Sequence, residues 1–550
     1  MALLVDLFGY LTIILHGLTI VGQSTALGGT LFLVLLVQPC GWLLGEPGRL
    51  VAQDTVRIAG WAAVGLAASE AAGLAMRAAV LVSTLDLSVA DALGAQFALA
   101  GMARIAAALL LAAVLFGFGA RARSWLLLPL VAAILAAATL ATHAAARVDE
   151  RIALLAVTAL HQFGAALWIG GIPAFVAALA RLKAPGALQV VGERFSLLSI
   201  AGVACIVVSA GFMAVWYIGE PAALYGTAYG VMVSAKIALF AALLLLGHGN
   251  FRLIRRMRHD RTVRATRLRR FAEVEIGVGF TLFFVAASLT AVPPAVDLKD
   301  DRVTIAEMVE RNWPPALRLE SPDRDSLTLP ALQAKLAAEA RANATRPLAA
   351  FVPGSGVIPD RNANDIAWSE YNHHWAGLFV VGIALMALLN RAGLHIAGHW
   401  PLLFLGLAVF LFFRSDPESW PLGDISFVDS LRDVEVLQHR FFVLLIAGFA
   451  FFEWRVRITG RTTGWTPLVF PLATALGGLA LLTHSHAIGN VKEQLLIEQS
   501  HTMLALAGIA GGWARWLELR LDPPGSRIAG WVWPVCFLVV GAVLLLYREA

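Results

Sequence analysis

Charge is what this chain of 550 residues has little of: Asp, Glu, Lys and Arg together make up 14% of it. A soluble fold of this size carries a far larger charged surface, so a soluble globular protein is excluded. Cysteine is nearly absent as well. Cys40, Cys205 and Cys536 show no CxxC spacing, which argues against a disulfide framework and a cysteine zinc site, and the lack of CxxCH excludes covalent c-type haem. There is no GxxxxGK[ST] and no HExxH. An ATP-driven pump is therefore not expected, and any transport would run on a gradient or by exchange.

Apolar residues fill the chain instead, at 59% with a mean hydropathy of +0.74. Runs near the ~20 residues that span a bilayer recur from 8–38 to 528–547, fourteen in all. The fold class expected is all-α, a polytopic integral membrane bundle of about fourteen transmembrane helices. The first run lacks a basic leader and a small-residue cleavage site and carries His16, so it reads as a span rather than a signal peptide. Arginine sets the orientation, since short cytoplasmic loops carry the Lys/Arg excess. Arg49 and Arg57, Arg121 and Arg123, Arg181 and Lys183, and the nine arginines of FRLIRRMRHDRTVRATRLRR fall in alternate loops. Both termini are thereby expected outside. The nine-arginine loop reads as a topology anchor against anionic membrane lipid, with no nucleic acid as partner.

The apolar rhythm stops once. Residues 295–370 are polar and proline-bearing, with one short helical stretch, LPALQAKLAAEARAN. They divide an eight-helix block, 1–294, from a six-helix block, 371–550. Runs one and five share a loose pattern, LHGLTIVGQSTALGG beside LHQFGAALWIGG. Duplication of a four-helix unit or small residues at helix contacts would each produce it.

Depth sorts the thirteen histidines. His16, His143, His161, His373, His374, His439, His484, His486 and His501 fall in outer halves or at outer mouths, and only His248, His259, His395 and His399 lie on the inner side. Met76, Met102, Met213 and Met503 map to outer halves too. Imidazole suits copper, zinc and iron, and thioether with imidazole is the ligand mix for Cu(I). Singly, each has an ordinary packing explanation; nine imidazoles on one side is harder to dismiss. The stretch LLTHSHAIGNVKEQLLIEQSHTM places His484 and His486 at a rim and His501 ~10 Å deeper at ~1.5 Å per residue, the order of a relay. Acids Asp416, Glu418, Asp424, Asp429, Asp433 and Glu435 lead into His439, with Glu493 in the next outer loop, and carboxylates at an entrance concentrate cations. Buried charge in the first block comprises Glu70 and Arg77, seven apart on one helix face, with Arg104 and Lys236. Glu70 and Arg104 are close enough in depth to pair, with a structural or a relay role.

Three stretches, LHQFGAALWIGGIPAF (160–175), SAKIALFAALLLLGHGNFRL (234–253) and RFAEVEIGVGFTLFFVAASLTAVPP (270–294), resemble the copper-resistance D (CopD) family of bacterial inner-membrane proteins. His161, Trp168, Gly170, Gly171, Lys236, Asn250, Glu275, Pro293 and Pro294 carry the likeness. The resemblance implies copper handling at the bacterial inner membrane beside a periplasmic copper-binding protein. The six-helix block resembles the extension of longer relatives. Haem b is the rival cofactor, because His16 with His161, or His439 with His501, could face each other as axial ligands, and the family bears a distant likeness to a haem-carrying family of protoporphyrinogen oxidation.

Overall fold

A computed structural model describes residues 7–85, 87–142, 145, 150–257, 265–298, 302–314, 316–322, 363–461, 463–483 and 491–549. The described residues form helices and no strands. In hydrocarbon every backbone N–H and C=O must be satisfied within the segment, and the helix does this for an apolar run. Among the described residues ten helices are long and apolar enough to cross a membrane, and Ser124–Leu140 and Thr466–Leu482 are shorter apolar helices. Two of the expected fourteen, Val434–Thr459 and Val491–Arg520, are long but not among the ten. Both carry buried acids, Glu453 and Glu498 respectively.

One compact unit comprises Leu11–Pro221 and Val233–Asp297. Its helices are α1 (Phe8–Phe32), α2 (Gln38–Leu85), α3 (Gln96–Phe118), α4 (Ser124–Leu140), α5 (Arg151–Trp168), α6 (Pro185–Tyr217), α7 (Ala228–Met257, from Val233 onward) and α8 (Ala265–Leu289). Within α2 the chain breaks at Gly45, whose φ of 57° suits a residue without Cβ, and the long apolar helix starts just before it, at Leu43. A 3-10 turn, Ile169–Gly171, carries α5 on into Ile172–Arg181. The two Gly-Gly pairs noted in sequence meet here. A Cβ on Gly170 would overlap the Ser24 carbonyl, and one on Gly28 would overlap Ala166 and Gly170, so the small residues allow α1 and α5 to touch backbone to backbone.

The other unit takes in the start of the chain to Tyr10, Ala222–Met232 and Leu298–Ala550. It is built of α9 (Ala363–Arg391), α10 (Pro401–Arg414), α11 (Val434–Thr459), α12 (Val469–Leu482), α13 (Val491–Arg520) and α14 (Gly525–Leu545). α13 packs on α12 and α14, α9 on α14, and α10 on α11. Their shared core is aromatic: Trp400, Phe404, Phe449, Phe470, Trp533 and Phe537. Edge-to-face pairs such as Phe404 with Phe449, centroids 4.8 Å apart, fill it. This core leaves polar side chains to the two ends of α9, α11 and α13.

Candidate metal centre

At one end of the second unit three helices each present a histidine. His373 lies one turn above Ser369 on α9, and its Nδ1–H donates to the Ser369 carbonyl at 2.8 Å. His501 on α13 does the same to Ile497, also at 2.8 Å. His439 on α11 donates from Nδ1 to Asp416 Oδ1, again at 2.8 Å. A carbonyl or carboxylate only accepts, so each ring must carry its proton on Nδ1. A metal would then be met by Nε2, the arrangement in which outer partners orient metal-ligating histidines.

The His373 and His501 rings are 6.3 Å apart between centroids and nearly perpendicular, at 81°. Two imidazole nitrogens at ~2.0 Å on opposite sides of one ion would put ring centroids ~6 Å apart. His439 is within electrostatic reach of both. Among the described residues no three His, Cys, Asp or Glu side chains already converge as a cation cage. The site is a pair with a third imidazole close by.

Sequence reading missed the backing of this pair. Tyr547 stacks on His373 with centroids 3.7 Å apart, and its hydroxyl donates to Glu549 at 2.7 Å. Ser369 donates to the same Glu549 oxygen. His374, one residue from His373, serves another purpose. Its Nδ1 accepts from the Arg318 N–H at 2.8 Å and its Nε2–H donates to the Tyr547 carbonyl at 3.0 Å. At 0% exposure with both nitrogens engaged, it ties α9 to the chain after α14 and has no lone pair left to offer a metal.

The loop 415–433 brings acids to His439. Burial alone would raise the Asp416 carboxyl, yet the His439 contact, the Ser415 hydroxyl and the nearby Arg440 together hold it below its usual value. Glu418 goes the other way: burial, then Asp416, Glu435 and Asp433, push it up to about 7. Near neutrality this mouth thus carries one firmly ionised carboxylate and one poised to ionise.

Other expected ligands are scattered. Met503 and Met102 are exposed, Met213 is half-buried on α6, and Met76 is buried on α2. His143, His259, His484 and His486, with the stretch LPALQAKLAAEARAN, lie outside the described residues, as does the side chain of Glu493. The rim half of the expected relay therefore has no structural description, whereas His501 stands beside His373 rather than alone among leucines.

In the first unit a chain of polar side chains runs between helices. Arg104 on α3 pairs with Glu70 on α2, and Arg77 Nη2 sits 3.6 Å from the other Glu70 oxygen. Arg104 also donates to Gln23 at 3.3 Å, and Gln23 donates to Gln162 at 3.0 Å. Next to Gln162, His161 meets Ser209 at 2.9 Å, and Lys236 lies within its electrostatic reach. Asn250 donates to Glu275 at 2.5 Å, joining α7 to α8. His16 is half-buried on α1.

Comparison with known proteins bears on this unit. The family described as Copper resistance protein D matches residues 189–289. The copper transport protein CutJ of Bacillus subtilis (strain 168) is 30% identical over 155 residues, a stretch covering 28% of this chain and 28% of that protein. No solved structure matches. Lys236, Asn250 and Glu275 fall inside the matched stretch, whereas His161 and all of the second unit except Ala222–Met232 fall outside it. Residues 189–289 are thus similar to Copper resistance protein D, and they lie in a chain whose long apolar helices suit a multi-pass helical membrane protein.

Proposed function

We propose that the chain binds copper through outer-half imidazoles and carries it across the bacterial inner membrane, both termini facing outward and a periplasmic copper-binding protein delivering the ion. The observation that carries this reading is the His373–His501 pair, its ring separation close to that of two imidazoles sharing one ion and its Nδ1 atoms both committed. His439, held by Asp416, supplies a third imidazole within electrostatic reach. Two imidazoles suit Cu(I), which accepts low coordination and gives up its ligands by exchange. The copper resistance segment in the first unit supports the same cargo for the chain.

The test is copper content after purification under reducing conditions. Wild type should retain copper, and His373→Ala and His501→Ala should each lose most of it. Full retention by both variants would refute the site. The same ring separation suits two axial ligands of haem b, which makes haem-based electron transfer the second reading. An absorption spectrum separates the two, because a Soret band cannot come from copper.

A further inference from the structure

The opposite end of the second unit holds a cluster that the copper reading does not use. Arg391 closes α9, Glu453 and Arg457 lie near the end of α11, and Arg515 and Glu518 lie in the last turns of α13. Arg391 pairs with Glu518. Arg515 bridges the acids, reaching Glu518 Oε2 at 2.7 Å and Glu453 Oε1 at 2.8 Å. Arg457 donates from Nε to Glu453 Oε1 at 3.0 Å and from Nη1 to Asn390 at 3.0 Å. The Trp533 indole donates to Glu518 Oε2 at 2.7 Å.

Three guanidiniums against two carboxylates leave one positive charge over. The layering decides where it is presented. Side-chain exposure is 0% for Glu453, 8% for Arg515 and 15% for Glu518, but 20% for Arg457 and 21% for Arg391. The most buried acid is at the back and the two most accessible groups are cations. Arg391 engages a carboxylate through Nη2 alone, so of its five N–H donors most remain for another acceptor. Behind it, Arg515 Nε and the Trp400 indole N–H are buried donors with no acceptor. The cluster is thus rich in donors and net positive, which repels a copper ion and attracts an anion.

We propose that this end of the second bundle binds the phosphate of an anionic phospholipid headgroup, with Arg391 and Arg457 as its contacts. A phosphodiester oxygen pair matches the guanidinium fork. Position selects a lipid as the source: Arg391 is the last residue of the apolar helix Ile366–Arg391, where a bilayer places its phosphates, and exposed Trp531, whose ring lies under the Arg391 guanidinium at 5.9 Å, is the type of residue that occupies this depth. Basic pockets between helix ends on the positive side of a membrane are known headgroup sites. The inference is independent of the copper reading.

The experiment uses the full chain in mild detergent, with native mass spectrometry and thermal unfolding in added phosphatidylglycerol, phosphatidylcholine or inorganic phosphate. Wild type should retain phosphatidylglycerol at least tenfold over phosphatidylcholine and unfold at higher temperature with it. The Arg391→Gln/Arg457→Gln protein should lose that preference. Glu518→Gln releases Arg391 and should raise phosphatidylglycerol retention even if it lowers stability, an effect no purely structural ion pair predicts. Equal retention of the two lipids by wild type, unchanged preference in the double variant, or no gain in Glu518→Gln would overturn the proposal. Displacement of the lipid by millimolar inorganic phosphate would overturn a lipid as the source.

Discussion

Glu70 and its two arginines allow a quantitative test of what buried charge does in the first unit. Glu70→Gln keeps the shape but leaves Arg104, whose side chain is 6% exposed, without an anion; such a loss costs ~3–5 kcal/mol, and the lower end applies because the Gln carbonyl and Gln23 can still accept from Arg104. Arg104→Met costs less, ~2 kcal/mol, because Arg77 remains 3.6 Å from Glu70 and is itself 34% exposed. Together the two changes remove both buried charges, so the double variant should lose no more than ~3 kcal/mol. The difference from the sum is a coupling of ~2 kcal/mol, within the range for residues in direct contact. Denaturant titration in mixed lipid–detergent micelles, followed by tryptophan fluorescence and far-ultraviolet dichroism, measures all four corners of the cycle. Additivity within ~0.5 kcal/mol would show that the pair contributes nothing specific and refute the argument.

Asp416→Asn removes the carboxylate that fixes the His439 proton on Nδ1, and a lost outer partner of this kind should weaken Cu(I) binding ~10–100-fold in a chelator competition; unchanged affinity would detach His439 from the site. Loop 415–433 should resist hydrogen exchange best at mildly acidic pH. Glu418, raised from 4.5 to about 7, contributes stability that is complete below ~4.5 and fades as pH rises through 7. Asp416, lowered from 3.8, contributes stability that is present above that value and fades as pH falls below it. Protection, corrected for intrinsic exchange rates, that climbs steadily to pH 8 would contradict the Glu418 assignment. His374→Ala should cost ~2–3 kcal/mol through two lost hydrogen bonds and a cavity while copper content stays at the wild-type level; copper loss at unchanged stability would reverse its role.

How far the sequence could be read depends on how local the cause was. Helices followed from apolar runs because a bilayer leaves the backbone no other partner. Glu70 and Arg104 could be matched from depth alone, since two charges at one level of a bundle have few alternatives to each other. Even so, Val434–Thr459 shows the limit of hydropathy, because Glu453 near its end lowers the apolar signal and is stabilised by Arg457 one turn on and by Arg515 from another helix. His373 and His374 are indistinguishable neighbours in sequence. A helix turns ~100° per residue, so one faces His501 and the other faces Arg318 and the Tyr547 carbonyl, and the second set of partners lies 56 and 173 residues away. Tyr547 and Glu549 gave no signal because a short polar end after the last apolar run looks like any other. Only the packing of α14 on α9 brings it back over His373.

The spacing along three helices has a further consequence. His373 and Arg391 are eighteen residues apart on α9, as are His439 and Arg457 on α11, and His501 and Glu518 on α13 are seventeen apart. At ~1.5 Å per residue the intervals are ~26–27 Å, slightly less than the ~30 Å of an average hydrocarbon layer. The second bundle is therefore a gauge of bilayer thickness, with polar groups pinned at both faces and little apolar length to spare. Long-chain lipids would draw either the imidazoles or the guanidiniums into hydrocarbon, and the bundle has no surplus length to take up by tilting. Reconstituted copper uptake should accordingly peak in bilayers of medium acyl chain length and fall as the chains lengthen, with the detergent-solubilised protein insensitive to the change.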